Sequence, residues 1–445
     1  MKRSISDDVL RTVLNEALSE ALAVAPRSLT RRDVRLPKIA GKTIAVVGVR
    51  RGGKTSFLRH HMAEQLAAGR PRESLLFLSL EDERLAGITG ADIGWMIDEH
   101  ARQFPSLAQH GARTLYFDEV QLTDGWEKLV RRLTDNGTHE IFVSGSSAKL
   151  LSREVATSLR GRAMEVRISP FSFREALRHA GAEPTRPWAE LAPDERSRLD
   201  AAFRDYLTVG GFPEAQATDS RDRLHLLKGY VDVMVLRDVI ERHRVSSPHA
   251  LRWLQRHLLA TPGGGVSIRK LTDTLRSQGT PISKDTLTAY LDHLGDAFLV
   301  TVIELHTASE RQRMLHPRKV YPIDTGLISL YETDARTHDG RALETAVLLE
   351  LQRREYEVSY LKTDSDFEVD FHAHRHRERS LLVQVCLSVS DESTWNRELR
   401  ALGEAARVHP KAKCLLITRD SVPPSRALPD GIEWRSATEW MLEAI

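Results

Sequence analysis

Residues 46–61 read VVGVRRGGKTSFLRHH. Four apolar residues, Ile44 to Val47, run into Gly48. A loop follows, then Lys54, Thr55 and a helical pattern through "TSFLRHHMAEQLAAG" that Gly69 closes. Gly48, Gly53, Lys54 and Thr55 satisfy G-x-x-x-x-G-K-[ST], and they stand where that pattern belongs, between a buried strand and a helix. In such a loop backbone N–H groups wrap phosphates, and the helix start adds partial positive charge. Lys54 is placed to reach the terminal phosphates, and Thr55 to put its hydroxyl on Mg²⁺. Arg51, Gly52 and Ser56 complete the expected nucleotide contacts. The bland alternative, a glycine turn that happens to hold a lysine, fits the flanks poorly.

A nucleotide site of this kind needs an acidic partner on a second strand. "ARTLYFDEV" supplies it: Leu115, Tyr116 and Phe117 are buried-strand types, and Asp118 and Glu119 end the strand. Asp118 is expected to hold Mg²⁺ through water, and Glu119 to orient or deprotonate the attacking water. A third strand, "HEIFVSGSSAKLL", ends in small polar residues. Ser144 or Ser146 is a candidate polar sensor of the γ-phosphate, or else a helix N-cap. Asp82, after "SLLFLSL", falls at a strand end where open α/β sheets build sites, although a surface cap suits it equally. Arg160 and Arg162 in "SLRGRAMEVRISPFSFREAL" are candidate fingers on a neighbouring subunit's nucleotide, which would require a homo-oligomer. A surface salt bridge is the alternative.

Composition narrows the classes. With 445 residues, two or three domains are expected, and 41% hydrophobic with 28% charged residues describes a globular chain. No apolar run reaches the length of a membrane span. The start, "MKRSISDDVL", turns acidic too early for a secretory signal. Two cysteines, Cys386 and Cys414, exclude a disulfide scaffold and fit a reducing cytoplasm. A formal charge of +2 means that any nucleic-acid partner must meet a local patch.

"GVRRGGKT", "LYFDEVQ", "VSGSSAKLLS" with "LRGR", "SPFSFREAL", "YLTVGGFPEA" and "YVDVMVLRDVIER" together resemble a large prokaryotic family of ATP-binding proteins of the AAA+ superfamily, whose C-terminal domain has no known function. "KLTDTLRSQGTPISKDTLTAYLDHLGDAFLV", "KVYPIDTGL" and "FEVDFHAH" extend the resemblance from about Leu36 to about Arg419. It implies an α/β chain: a P-loop NTPase (AAA+) domain with a parallel sheet, then a helical and winged-helix segment, then an α/β restriction-endonuclease-like domain. The expected boundaries are 1–35 for an N-terminal helical segment, 36–180 for the ATPase domain, 181–250 for a helical lid, 251–325 for the winged-helix-like part and 326–445 for the nuclease-like part. ATP and Mg²⁺ are the implied cofactors.

The second half supports this from its own residues. Gly210, Gly211 and Pro213 punctuate a turn. "LLKGYVDVMVLRDVIERHRV" is a helix with apolar spacing at Val231, Met234, Val235 and Val239. "SIRKLTDTLRSQGTPISKDTLTAYLDHL" predicts helix, turn, helix, followed by a strand and the basic stretch "ERQRMLHPRK". The second helix is the candidate reader of a DNA groove, and Arg269, Lys270, Lys284, Arg311, Arg313, Arg318 and Lys319 are candidate phosphate contacts. Acidic neighbours dilute that face, so a winged helix used only for packing or protein contact stays open.

Near the C-terminus Glu344 is expected to open an amphipathic helix, "LETAVLLELQRR". "FEVDFHA" alternates, with Phe367, Val369 and Phe371 expected on one face and Glu368 and Asp370 on the other. In "LLVQVCLSV", Gln384 and Cys386 stand two apart, where nucleases of the PD-(D/E)XK type carry a metal-binding carboxylate and a lysine. A neutral amide and a thiol make that site degenerate, with Lys362 the only nearby substitute considered. A core retained for contacts is favoured over an active nuclease. His372, His374 and His376 alternate and are candidate metal ligands, or a basic hairpin turn. The functional expectation is an ATP-hydrolysing switch with double-stranded DNA as client. The alternatives are an ATP-dependent protein–protein switch without nucleic acid, and an ATP-gated nuclease.

Overall fold

The structure is a computed structural model that describes residues 7–23, 29–109, 113–145, 161–331 and 335–443. Ser146 and Arg160 lie outside these. Contacts divide the chain into two compact units, Met1–Ser169 and Pro170–Ile445.

The first unit is built on five short strands: β1 (Thr43–Val47), β2 (Leu75–Ser79), β3 (Arg113–Asp118), β4 (His139–Gly145) and β5 (Ala163–Arg167). They pair in the order β2-β3-β4-β1-β5, and every pair is parallel. Strands of a parallel sheet are covered on both faces, which is why β1 reads as an unbroken apolar run rather than an alternating one. Ile44, Val46, Phe57, Leu58, Phe77, Tyr116 and Phe142 form part of its core. The order sets β1 and β3 apart with β4 between them. Register aligns Val46 with Ser144, Val47 with Gly145 and Ser79 with Asp118. The loop after β1, the acids ending β3 and the serine of β4 therefore meet at one edge of the sheet, its carboxyl edge.

The second unit opens with helices Phe173–His179, Pro193–Val209 and Ser220–Val233, the last continuing as a π-helix over Met234–Glu241. Val231, Met234, Val235 and Val239 are all buried, as their spacing predicts. The turn at Gly210–Gly211 is fixed by closeness. A Cβ on Gly211 would run into the Phe171 carbonyl, and its N–H donates to Asp324 at 2.6 Å. Helix Pro248–Ala260 leads to strand β6 (Gly265–Val266), helices Ile268–Ser277 and Lys284–Asp296, and strands β7 (Val300–Ile303) and β8 (Arg318–Pro322). These three strands form an antiparallel sheet in the order β6-β8-β7. Ser267 and Ser283 cap the two helices with their hydroxyls.

Helix Ala335–Arg353 then precedes β9 (Glu357–Lys362), β10 (Glu368–His374) and β11 (Leu381–Cys386), an antiparallel run. Strands β12 (Lys413–Thr418) and β13 (Ile432–Ser436) extend it in parallel, with helix Glu392–Val408 between β11 and β12. One core joins Phe173 and Phe203 with Tyr321, Val347, Phe371, Val383 and Trp440. A second lies under helix Glu392–Val408 and includes Val369, Leu382, Trp395 and Leu416. The expected single face for Phe367, Val369 and Phe371 is corrected here. The ladder shifts register between Val369 and His372. A β-bulge there sends Val369 to one core and Phe371 to the other. Among the described residues no helix is long and apolar enough to cross a membrane.

Candidate functional site: a phosphate-binding loop and its acidic partners

The loop leaves β1 at Gly48, whose φ of 145° suits glycine, and a Cβ there would collide with the Ile168 carbonyl on the neighbouring strand's extension. Gly52 N–H closes the turn onto the Val49 carbonyl at 3.1 Å. Gly53 is left-handed and caps helix Lys54–Ala67. The buried Arg32 donates to the Gly52 carbonyl at 3.1 Å and braces the loop from outside. Arg51 and Ser56 are exposed on the loop and the first helical turn.

Lys54 is 5% exposed, and its ammonium donates to the carbonyls of Gly48 and Val49, each at 3.2 Å. It also lies 3.9 Å from Glu119. Thr55 Oγ1 donates to Asp118 Oδ2 at 2.8 Å. Ser144 donates its hydroxyl to the other Asp118 oxygen and accepts the Glu119 N–H at 3.0 Å. One serine thus holds both acids. Glu119 adopts φ 53°, a left-handed backbone uncommon for a non-glycine residue, and its carboxylate accepts from Gln121. Burial raises the Asp118 pKa, while its bonds to Ser144 and Thr55 pull the other way. Glu81, just beyond β2, is raised by burial and then by the charges of Glu119 and Asp118. The site therefore concentrates three acids around one lysine. A hydroxyl and a carboxylate 2.8 Å apart are hard oxygen donors of the kind Mg²⁺ prefers.

Two sequence candidates stand elsewhere. Asp82 caps a short 3₁₀ turn through Arg84 N–H and ion-pairs with the Arg84 side chain, which is the surface-cap alternative. Arg162 stands at the opposite edge of the sheet from the loop, beside Thr43, and pairs with Asp135. Glu81 and Arg32 were not singled out from the sequence. Glu81 follows the same strand-end logic as Asp82 one residue on, and Arg32 lies outside every motif of the sequence.

In the second unit Glu344, Asp370, Gln384 and Cys386, named from the sequence, lie near one another. Glu344 accepts from Tyr321 OH at 2.6 Å, and Val385 N–H donates to Asp370 at 2.9 Å. Gln384 spends its amide N–H on Glu398 at 2.6 Å. Burial pushes the Cys386 thiol up to about 12, aided by Glu398 and Asp370. The ammonium comes from Lys319 on β8, 5% exposed, at 3.3 Å from Glu344, 2.7 Å from Glu368 and 3.8 Å from Asp370. Burial raises Asp370 well above the ordinary carboxylate range. Lys362, the substitute considered from sequence, instead pairs with Asp366 at 2.7 Å. Lys319 is likewise withdrawn from the candidate phosphate contacts. Its spacing from Tyr321, two residues along one strand, was the available signal. Arg313 and Arg318 are engaged by Glu310, Asp292 and Glu304, whereas Arg269, Lys270, Lys284 and Arg311 are exposed.

Loop, helix start and paired acids on a five-stranded parallel sheet define an ATP-binding protein of the AAA+ class, and residues 40–177 match the family model described as "AAA domain". Residues 200–337 match a domain of unknown function. An uncharacterized protein of Methanocaldococcus jannaschii is 31% identical over 402 residues, covering 89% of this chain and 86% of that protein. One of Haemophilus influenzae is 30% identical over 405 residues, covering 89% and 94%. The chain belongs to the same family as these two proteins. A Walker-type ATPase of Pyrococcus abyssi superposes with TM-score 0.44 at 17% identity, covering 74% of this chain and 98% of that one.

Proposed function

We propose that this AAA+ protein hydrolyses ATP with Mg²⁺ and uses the cycle as a conformational switch, with duplex DNA as its client. The observation that carries the reading is the Thr55–Asp118–Ser144–Glu119 chain of hydrogen bonds beside Lys54. Thr55 and Asp118 would hold Mg²⁺, directly and through water, and the ion would neutralise phosphoryl charge. Lys54 would exchange loop carbonyls for the terminal phosphates. Glu119 would orient the attacking water and Ser144 would keep it in place. Arg162, at the far edge of its own sheet, would serve only a neighbouring chain's nucleotide, which makes a homo-oligomer part of the proposal.

DNA is favoured as client by the helix pair with its three-stranded sheet and by the exposed cations Arg269, Lys270, Lys284 and Arg311. A protein client has one observation of its own: Met314 and Leu315, each 73% exposed, stand together beside Arg313. In the C-terminal part we propose a nuclease-like core without cleavage activity. Gln384 offers no carboxylate, and the single ammonium of Lys319 is shared among Glu344, Glu368 and Asp370. A cytoplasmic location accords with two free cysteines.

The test is ATP hydrolysis by wild type and Glu119→Gln, each with and without duplex DNA. Hydrolysis lost in the variant and raised by DNA supports the whole reading. Glu119-dependent hydrolysis indifferent to DNA moves the client to a protein. Hydrolysis that survives Glu119→Gln refutes the assigned role of Glu119.

A further inference from the structure

We propose that His306, His372 and His409 form a binding site for one divalent transition metal, Zn²⁺ by ligand type. The three come from separate places in the second unit. His306 follows β7, His372 lies on β10 and His409 ends helix Glu392–Val408. Their rings converge, with centroids 3.9 Å apart for His306 and His372, 5.5 Å for His372 and His409, and 5.6 Å for His306 and His409. One nitrogen from each lies within 4.8 Å of the other two. A tetrahedral zinc with nitrogens at roughly 2.0–2.1 Å brings its ligands closer than this, so the rings would turn inward on binding.

The backbone at each ligand is fixed. His306 N–H donates to the Tyr360 carbonyl at 2.7 Å, and Tyr360 N–H returns the bond to Glu304 at 3.0 Å. His372 is paired on both sides, with Ser359 of β9 and Leu382 of β11. His409 N–H closes the last helical turn onto Ala405 at 2.9 Å. The β-bulge before His372 is what makes the trio. Strict alternation from Asp370 would keep His372 on the same face as that acid. The register shift instead accompanies its approach to His409. The pattern His372, His374, His376 read from sequence therefore contributes one member. β10 ends at His374, and His376 falls in the turn beyond it.

Burial grades across the site: His372 is buried, His409 intermediate and His306 exposed. His306 and His372 line an open cleft with Glu304, Thr307, Arg313 and His374. Three imidazoles with one open side make the ligand count of a zinc site that keeps a fourth position for water or another small ligand. The metal would tie β10, the segment after β7 and the end of helix Glu392–Val408 at one point.

The test uses the full chain, stripped with chelator and titrated with Zn²⁺ by calorimetry, and with Co²⁺ by visible absorption. One equivalent of metal and a tetrahedral cobalt spectrum are expected. His306→Ala and His409→Ala should each weaken Zn²⁺ binding by more than the ~10–100-fold that loss of an outer-shell partner costs, while His374→Ala leaves it unchanged. His306 is exposed, so its variant keeps the test open should His372→Ala fail to fold. Zinc bound equally well by His306→Ala and His409→Ala overturns the assignment, as does the absence of any stoichiometric binding. The cluster of His243, His293 and Asp296 would then be the place to look.

Discussion

Ser144 touches both acids of the nucleotide site with one hydroxyl, which donates a hydrogen bond to Asp118 and accepts one from the Glu119 N–H. Its hydroxyl bonds the two acids and not the phosphate loop. Ser144→Ala should therefore cut the ATP turnover rate by ~10–100-fold, the usual cost of losing a partner that orients a metal ligand. Nucleotide affinity, measured with a fluorescent ATP analogue, should change little. Equal losses in both would mean that the serine shapes the loop itself. The sequence made Lys54, Thr55, Asp118 and Glu119 legible because the first two follow β1 by a fixed count and the two acids stand at the end of β3. It left open which job Ser144 does, since a sensor and a helix cap use the same residue type. Lys319 was misplaced from sequence because a basic residue in a basic stretch looks solvated. Only its alternation with Tyr321 hints that both turn inward toward Glu344.

At the scale of elements, the helix pair Ile268–Ser277 and Lys284–Asp296 was legible through its serine caps and apolar spacing. Its charge was less so. Seven cations looked equivalent, yet Arg313 and Arg318 are drawn into ion pairs and Lys319 is buried. If DNA is the client, neutralising Lys284 and Arg311 should weaken binding on every sequence. The slope of log affinity against log salt should become shallower by ~0.9 for each phosphate that is no longer neutralised. Gel shifts across a salt series would measure it, and an unchanged slope would remove this face from the interface. The bulge in β10 could not be read at all. A bulge adds one residue to one strand, and nothing in "FEVDFHA" marks where the count slips.

For the whole molecule, two compact units predict two unfolding events in calorimetry. Mg²⁺–ATP at about 100 times its dissociation constant should stabilise the unit that carries the loop by ~2.7 kcal/mol. Lys319→Met should destabilise the other, by less than the about 3–5 kcal/mol that breaking a fully buried pair costs, because it takes the counter-charge from half-buried carboxylates. A single transition that both changes move would show the units to unfold as one. The parallel sheet was legible as a class, since strands and helices alternate from Thr43 to Gly145. The unity of everything after Ser169 was not, because its core is assembled from residues as distant as Phe173 and Trp440.

Lys319 sits on the small antiparallel sheet, yet the acids it balances belong to the helix and strands that follow. A fragment that starts after β8 would inherit an electrostatic debt with no creditor. One that stops there would carry a lone ammonium into its interior. Truncations of this chain should therefore not break between β8 and β10, and a library of random fragments selected for solubility would show that bias directly.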